Sequence, residues 1–148
     1  MDTGSSDPQA QPQSAPRILV VDDDAEMRAL LGEVLSEEGY EVERSANAAE
    51  ALIRLRSQTF AAIVLDKNMP GLSGLDVLPG LRLICPETPV IMITAYGDVA
   101  TYVDAMEKGV FEYLFKPFRM EELLRLLRRG LAPGSRCVAS SARPGASS

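Results

Sequence analysis

The chain has 148 residues, 46% of them hydrophobic and 24% charged, the balance of one soluble folded domain with a real core. A formal net charge of −6 argues against direct binding to nucleic acid or an anionic membrane surface, and no apolar run approaches membrane-spanning length. Histidine is absent, which excludes a Ser-His-Asp or Cys-His triad, a His-ligated zinc and a phosphohistidine relay within the chain.

Residues 1–16 are rich in Ser, Gln, Pro and Asp, carry no apolar periodicity and lack a signal-peptide pattern, which predicts a disordered lead. Residues 132–148, with Pro133, Gly134, Pro144 and Gly145, predict a flexible tail. Cys85 and Cys137 form no metal-ligand spacing, so reduced thiols and a cytoplasmic location are expected.

Between the tails, apolar runs alternate with helical patterns. Ile18-Leu19-Val20-Val21 reads as a first strand ending in Asp22-Asp23-Asp24. A helix follows, with Asp24 as N-cap, Gly39 as stop, and Met27, Leu30, Leu31, Val34 and Leu35 on one face. Glu41 to Ser45 reads as a more polar strand nearer an edge, and Asn47 caps a second helix that buries Ala51, Leu52 and Leu55. Ala61 to Leu65 is a short apolar run with β-branched Ile63 and Val64, the pattern of a strand buried on both faces, and it stops at Asp66 before the Pro70-Gly71 turn. Ser73 would cap a third helix facing inward through Leu75, Leu78 and Leu81; Pro79-Gly80 inside it predicts a kink or break. Val90 to Ile93 is a fourth strand ending at Thr94. The fourth helix, about Asp98 to Lys108, would bury Val99, Val103 and Met106. Glu112 to Phe115 is a fifth strand, followed by Lys116-Pro117 and a last helix over about Arg119 to Gly130 that buries Met120, Leu123, Leu124 and Leu127.

Such βα repetition predicts an α/β fold: one doubly wound five-stranded parallel sheet, order 2-1-3-4-5, with five helices. The order reverses between strands one and three, which brings Asp22, Asp23 and Asp66 to one crevice. Three carboxylates there repel and raise one another's pKa, and a hard divalent cation with oxygen ligands relieves that repulsion. Asp66 could then attack phosphorus, with Lys116 neutralising charge and the Thr94 hydroxyl donating to the transferring group. Each residue also has a plainer reading. The acidic triplet could cap a helix, Thr94 could be structural, and Lys116 could be a solvated turn residue.

The motifs VVDDDAEMR, LDKNMPGLSG, ITAYGD and EYLFKPF, in that order and spacing, resemble the receiver domain of two-component response regulators, over about Arg17 to Leu131. The TAYGD, VFEY and KPF segments look most like receivers of the nitrogen-regulator type. The resemblance implies Asp66 as phosphoacceptor and Asp22 and Asp23 as the acidic pair that holds Mg2+, with Asp23 the more direct ligand. It implies that Asn68 lends its backbone carbonyl to the metal. Thr94 and Tyr113 become the switch pair, Lys116 the phosphate-contacting lysine in a cis Lys116-Pro117 peptide, and Asn68 and Tyr96 the positions that tune dephosphorylation. It further implies a histidine kinase as donor and a switched face of helix 4, strand 5 and helix 5 that takes a downstream protein or a second copy. Candidates on that face are Thr101, Asp104, Glu107, Lys108, Arg125, Arg128 and Arg129. The chemistry would be self-directed phosphoryl transfer, so no turnover enzyme is expected.

Three other readings compete. An Asp-nucleophile phosphatase of the haloacid dehalogenase kind has the spacing of Asp22 and Asp24 but wants Thr or Val where Glu26 stands. A flavodoxin-like cofactor binder needs a phosphate loop where the acidic triplet lies. A protein-interaction module on the same fold would need no phosphate at all.

Overall fold

The computed structural model describes residues 15–68, 74–94 and 99–132. Most of both expected tails, and Cys137, lie outside these residues. Five parallel strands run β1 (Arg17–Val21), β2 (Glu41–Ser45), β3 (Ala62–Asp66), β4 (Val90–Thr94) and β5 (Glu112–Phe115). The helices between and after them are α1 (Ala25–Glu37), α2 (Ala48–Ser57), α3 (Gly74–Ile84), α4 (Val99–Glu107) and α5 (Met120–Leu131). The sheet order is β2-β1-β3-β4-β5, as the alternating pattern predicts.

The period-two alternation of strand side chains builds two cores. Leu19, Val21, Ile63, Leu65, Met92 and Tyr113 face α2, α3 and α4 through Leu55, Leu78, Leu81 and Ala105. Ile18, Val20, Val64, Ile91 and Ile93 face α1 and α5 through Leu31, Leu35, Leu123 and Leu127. Strands β3 and β4 are buried along their whole length, which is why they read as continuous apolar runs, while polar β2 takes an edge.

Helix ends follow the local chemistry. Asp24 accepts the Glu26 N–H at 3.0 Å and Asn47 accepts the Glu50 N–H at 2.9 Å. Gly39, at φ +100°, closes α1 with the Tyr40 N–H bonded to the Leu35 carbonyl. Gly74 lets α3 begin against β3: a Cβ there would lie 2.9 Å from both the Asp66 carbonyl oxygen and the Lys67 Cα. The Cys85 thiol donates to the Leu81 carbonyl at 3.2 Å, and burial pushes it up from its ordinary pKa.

Three expectations about helices need correction. Leu30 and Val103 are exposed; the buried positions are Leu31, Gly32 and Leu35 on α1 and Ala105 on α4. Helix α5 additionally buries Leu126. Helix α3 runs unbroken through Pro79. The proline removes one intrahelical donor on the exposed side, while Val77, Leu78 and Leu81 are buried around it and hold the flanking turns to the sheet. Ser73 lies outside the described residues, as do the side chains of Leu75 and Val99.

Candidate functional site

The carboxyl ends of β1, β3, β4 and β5 deliver Asp22, Asp66, Thr94 and Lys116 to one edge of the sheet. Hydrogen bonding between strands continues one residue past three of these ends. The Asp22 N–H bonds to the Ser45 carbonyl at 3.1 Å, Lys67 to Ile93 at 2.8 Å and Lys116 to Thr94 at 2.7 Å. The backbones that carry the polar side chains are thereby fixed.

Carboxylate oxygens of Asp22, Asp23 and Asp66 lie within 4.8 Å of one another. Asp22 and Asp66 are buried, whereas Asp23 is exposed. Asp22 accepts the Asp24 N–H at 2.9 Å, and Asp66 accepts the Asn68 N–H at 3.0 Å. Burial is the main reason that the Asp22 carboxyl is pushed up to about 6, from an ordinary value of 3.8. The Asp24 amide opposes the shift, the Asp66 charge adds to it, the Lys116 ammonium pulls back, and a hydrogen bond with Asp66 raises it further. The Lys116 charge thus acts on the Asp22 carboxyl. The Lys116-Pro117 peptide is cis, as the resemblance implied.

An all-oxygen donor set with surplus negative charge fits a hard divalent cation, and magnesium suits a site that supplies a few carboxylates and leaves room for water. Asp24 stands apart from this cluster. Its carboxylate caps α1, which removes the second aspartate that the dehalogenase-type reading required.

The buried Thr94 hydroxyl donates to the Asn68 side-chain oxygen at 3.0 Å. Sequence reasoning assigned Asn68 only a backbone carbonyl and a tuning position, so this side-chain role was missed. The two residues are 26 positions apart, and no local pattern links them. Arg28 was missed as well: its guanidinium donates to the Asp22 carbonyl at 2.8 Å, bracing the acidic turn from one helical turn into α1. Its place in the VVDDDAEMR segment was the available signal. Tyr113 is buried beneath this edge of the sheet. Tyr96, the expected dephosphorylation-tuning residue, lies outside the described residues, as does the Thr101 side chain.

The response regulator receiver domain family matches residues 18–128. Transcriptional regulatory protein TcrA of Mycobacterium tuberculosis is 40% identical over 115 residues, which are 78% of this chain and 46% of TcrA. DNA-binding transcriptional regulator NtrC of a Bradyrhizobium species is 40% identical over 129 residues, 86% of this chain and 27% of NtrC. The chain therefore spans less than half the length of either relative. A CheY-like receiver domain from Methanospirillum hungatei superposes with TM-score 0.77 at 31% identity, covering 80% of this chain and 94% of that one. The beryllofluoride-activated NtrC4 receiver domain dimer gives TM-score 0.74 at 36% identity, over 78% of this chain and 95% of that one. TrrA of Thermotoga maritima, in complex with Mg(2+)-BeF, gives 0.71 at 37% identity, over 78% and 99%. Sheet order, acidic crevice and sequence match agree, and the chain belongs to the response regulator receiver domains of two-component signalling.

Proposed function

We propose that this receiver domain takes a phosphoryl group on Asp66 and passes the event through Thr94 and Tyr113 to the α4–β5–α5 face. The observation that carries this reading is the packing of three carboxylates within 4.8 Å of one another at the strand edge that also holds Thr94 and Lys116. Asp22 and Asp23 would hold magnesium, with Asp66 and the Asn68 backbone carbonyl completing the protein's share. Bound there, the metal supplies charge neutralisation for the phosphoryl oxygens.

Asp66 has one oxygen held by the Asn68 amide, and its carboxylate attacks once magnesium replaces the hydrogen bond it shares with Asp22. The new Asp66 O–P bond forms as the N–P bond of a phosphohistidine breaks. The imidazole leaves with the bonding pair and takes a proton. The donor is a histidine kinase, since this chain has no histidine of its own. Lys116 neutralises charge on the phosphoryl group, and Thr94 donates its hydroxyl once it releases Asn68. The transfer is self-directed; the product is the modified chain.

Exposed Tyr102, Val103 and Phe115, among Glu107, Lys108, Arg125, Arg128 and Arg129, give the α4–β5–α5 face an apolar centre with a charged rim. That composition suits a protein or a second copy of the chain, and the dimeric NtrC4 receiver supports the second copy. The acidic balance disfavours direct nucleic-acid contact.

The test is intact-mass measurement after incubating the full chain with a small phosphodonor and magnesium. The native chain should gain one phosphoryl group and Asp66→Asn none. Equal gain in both, or gain without dependence on magnesium, would refute the assignment.

A further inference from the structure

Tyr113 does not stand alone in the core. The residue is 6% exposed and belongs to the cluster that contains Met92 and Ala105. The Tyr102 ring on α4 meets it edge-on, with centroids 5.7 Å apart and planes at 86°. On the other side, the Phe115 ring meets it at 5.1 Å and 70°. Both flanking residues are partly open to solvent, at 40% and 39%. Edge-to-face geometry sets the positive rim of one ring against the negative face of another, an attraction beyond simple burial.

The three rings form a continuous path from the chemistry to a helix. Phe115 is the register partner of Thr94 across the β4–β5 ladder. Tyr113 lies two residues back on the same strand, hence on the same sheet face. Tyr102 then carries the contact to the middle of α4. Strand β5 is a sheet edge, so a staggered alternative at Tyr113 χ1 would swing its ring off the sheet into solvent.

We propose that Tyr102 is a positioning residue for the switch ring: together with Phe115 it braces Tyr113 in the buried position before any phosphorylation. The proposal rests on the relay reading of Thr94 and Tyr113 given above. It adds that α4 is tied to the ring in the resting chain, so movement at Thr94 is felt at Tyr102 through a ring contact already made. Tyr102 touches no reacting atom and acts only through Tyr113.

The full chain labelled with fluorotyrosine tests this, with the Tyr113 resonance assigned from Tyr113→Phe and its solvent exposure read by a soluble paramagnetic quencher. Tyr102→Leu keeps apolar bulk and removes the ring; Tyr102→Phe keeps the ring. Loss of one edge-to-face pair should shift the buried-to-exposed ratio of Tyr113 toward exposed by roughly 2- to 12-fold in Tyr102→Leu. Tyr102→Phe should match the native chain. A Tyr113 resonance as protected in Tyr102→Leu as in the native chain overturns the proposal, even if that variant melts earlier. Equal exposure in both variants overturns it too, because the ring would then not be the cause. Beryllofluoride with magnesium separates the two readings. A Tyr113 resonance that answers Tyr102→Leu but ignores beryllofluoride supports the brace and defeats the relay.

Discussion

Thr94 Oγ1 donates to Asn68 Oδ1 at 3.0 Å, so the residue expected to sense phosphorylation is tethered to the loop just beyond the acceptor. To reach a phosphoryl oxygen the hydroxyl must give up this bond. The tether therefore stabilises the resting arrangement by about 1 kcal/mol, the net worth of a neutral hydrogen bond.

Asn68→Ala should tighten binding of beryllofluoride with magnesium by up to about fivefold, because the competing acceptor is gone while the backbone carbonyl stays. A fluorescence or fluorine-resonance titration measures this. Unchanged or weaker binding would show that the Asn68 side chain helps the active state instead.

The metal-free chain should lose stability as pH rises through the Asp22 titration. The folded carboxyl titrates near 6, above its ordinary 3.8, so the folded state holds the proton more tightly than the unfolded state. This contribution is fully present below 3.8 and disappears as pH passes 6. Its size is at most roughly 3 kcal/mol. Thermal melts in chelator on either side of that window should show the fall, Asp22→Asn should flatten it, and magnesium should restore stability chiefly at the higher pH. A slope that survives in Asp22→Asn would assign it elsewhere.

Lys116→Met should move the Asp22 titration further up, since the ammonium now pulls it down. It should also slow phosphoryl uptake, by roughly 10- to 1,000-fold if Lys116 stabilises the transferring group as proposed. Carboxyl-carbon resonances report the first effect and quenched intact-mass time courses the second. A downward or absent shift would place Lys116 away from Asp22.

Gly74→Ala should destabilise the domain by about 1–3 kcal/mol, because the added methyl meets backbone atoms of Asp66 and Lys67 that cannot turn aside. Magnesium affinity should fall with it, as the same backbone carries Asp66. Denaturant melts and magnesium titration check both; a neutral substitution would mean that α3 can retreat at no cost.

Tyr96→Ala should accelerate loss of the phosphoryl group if a bulky Tyr96 obstructs the path of attacking water, as the resemblance suggests. The decay of the phosphorylated mass, followed in native and substituted chains, decides it. Equal half-lives would remove Tyr96 from the tuning set.

Strands and their order were legible because β1, β3 and β4 are short apolar runs rich in β-branched residues and each helix is a separate periodic stretch. The faces of α1 and α4 were less so. Leu30 and Val103 are as apolar as their neighbours, yet small Gly32 and Ala105 take the close contact with the sheet side, where the Arg44 guanidinium lies over Gly32 and Ala105 is fully buried. Residue size at a contact is a tertiary property, and hydropathy does not encode it. Pro79 misled for a similar reason: the rule is local, but the surrounding leucines are held from outside the helix. In the site, Asp22, Asp23, Asp66, Thr94 and Lys116 could be found because each ends a strand or lies within two residues of its end. The Thr94–Asn68 and Arg28–Asp22 bonds depend on where loops and helices come to rest.

The rungs that tie Asp22 to Ser45, Lys67 to Ile93 and Lys116 to Thr94 make the pocket tolerant of change around it. Its charged groups hang from the sheet's own lattice, one step past its border, and owe their spacing to main-chain atoms common to every residue type. Substitutions in the segments beyond these rungs leave the main-chain bonds in place, so the surroundings can change while the charges remain at their stations.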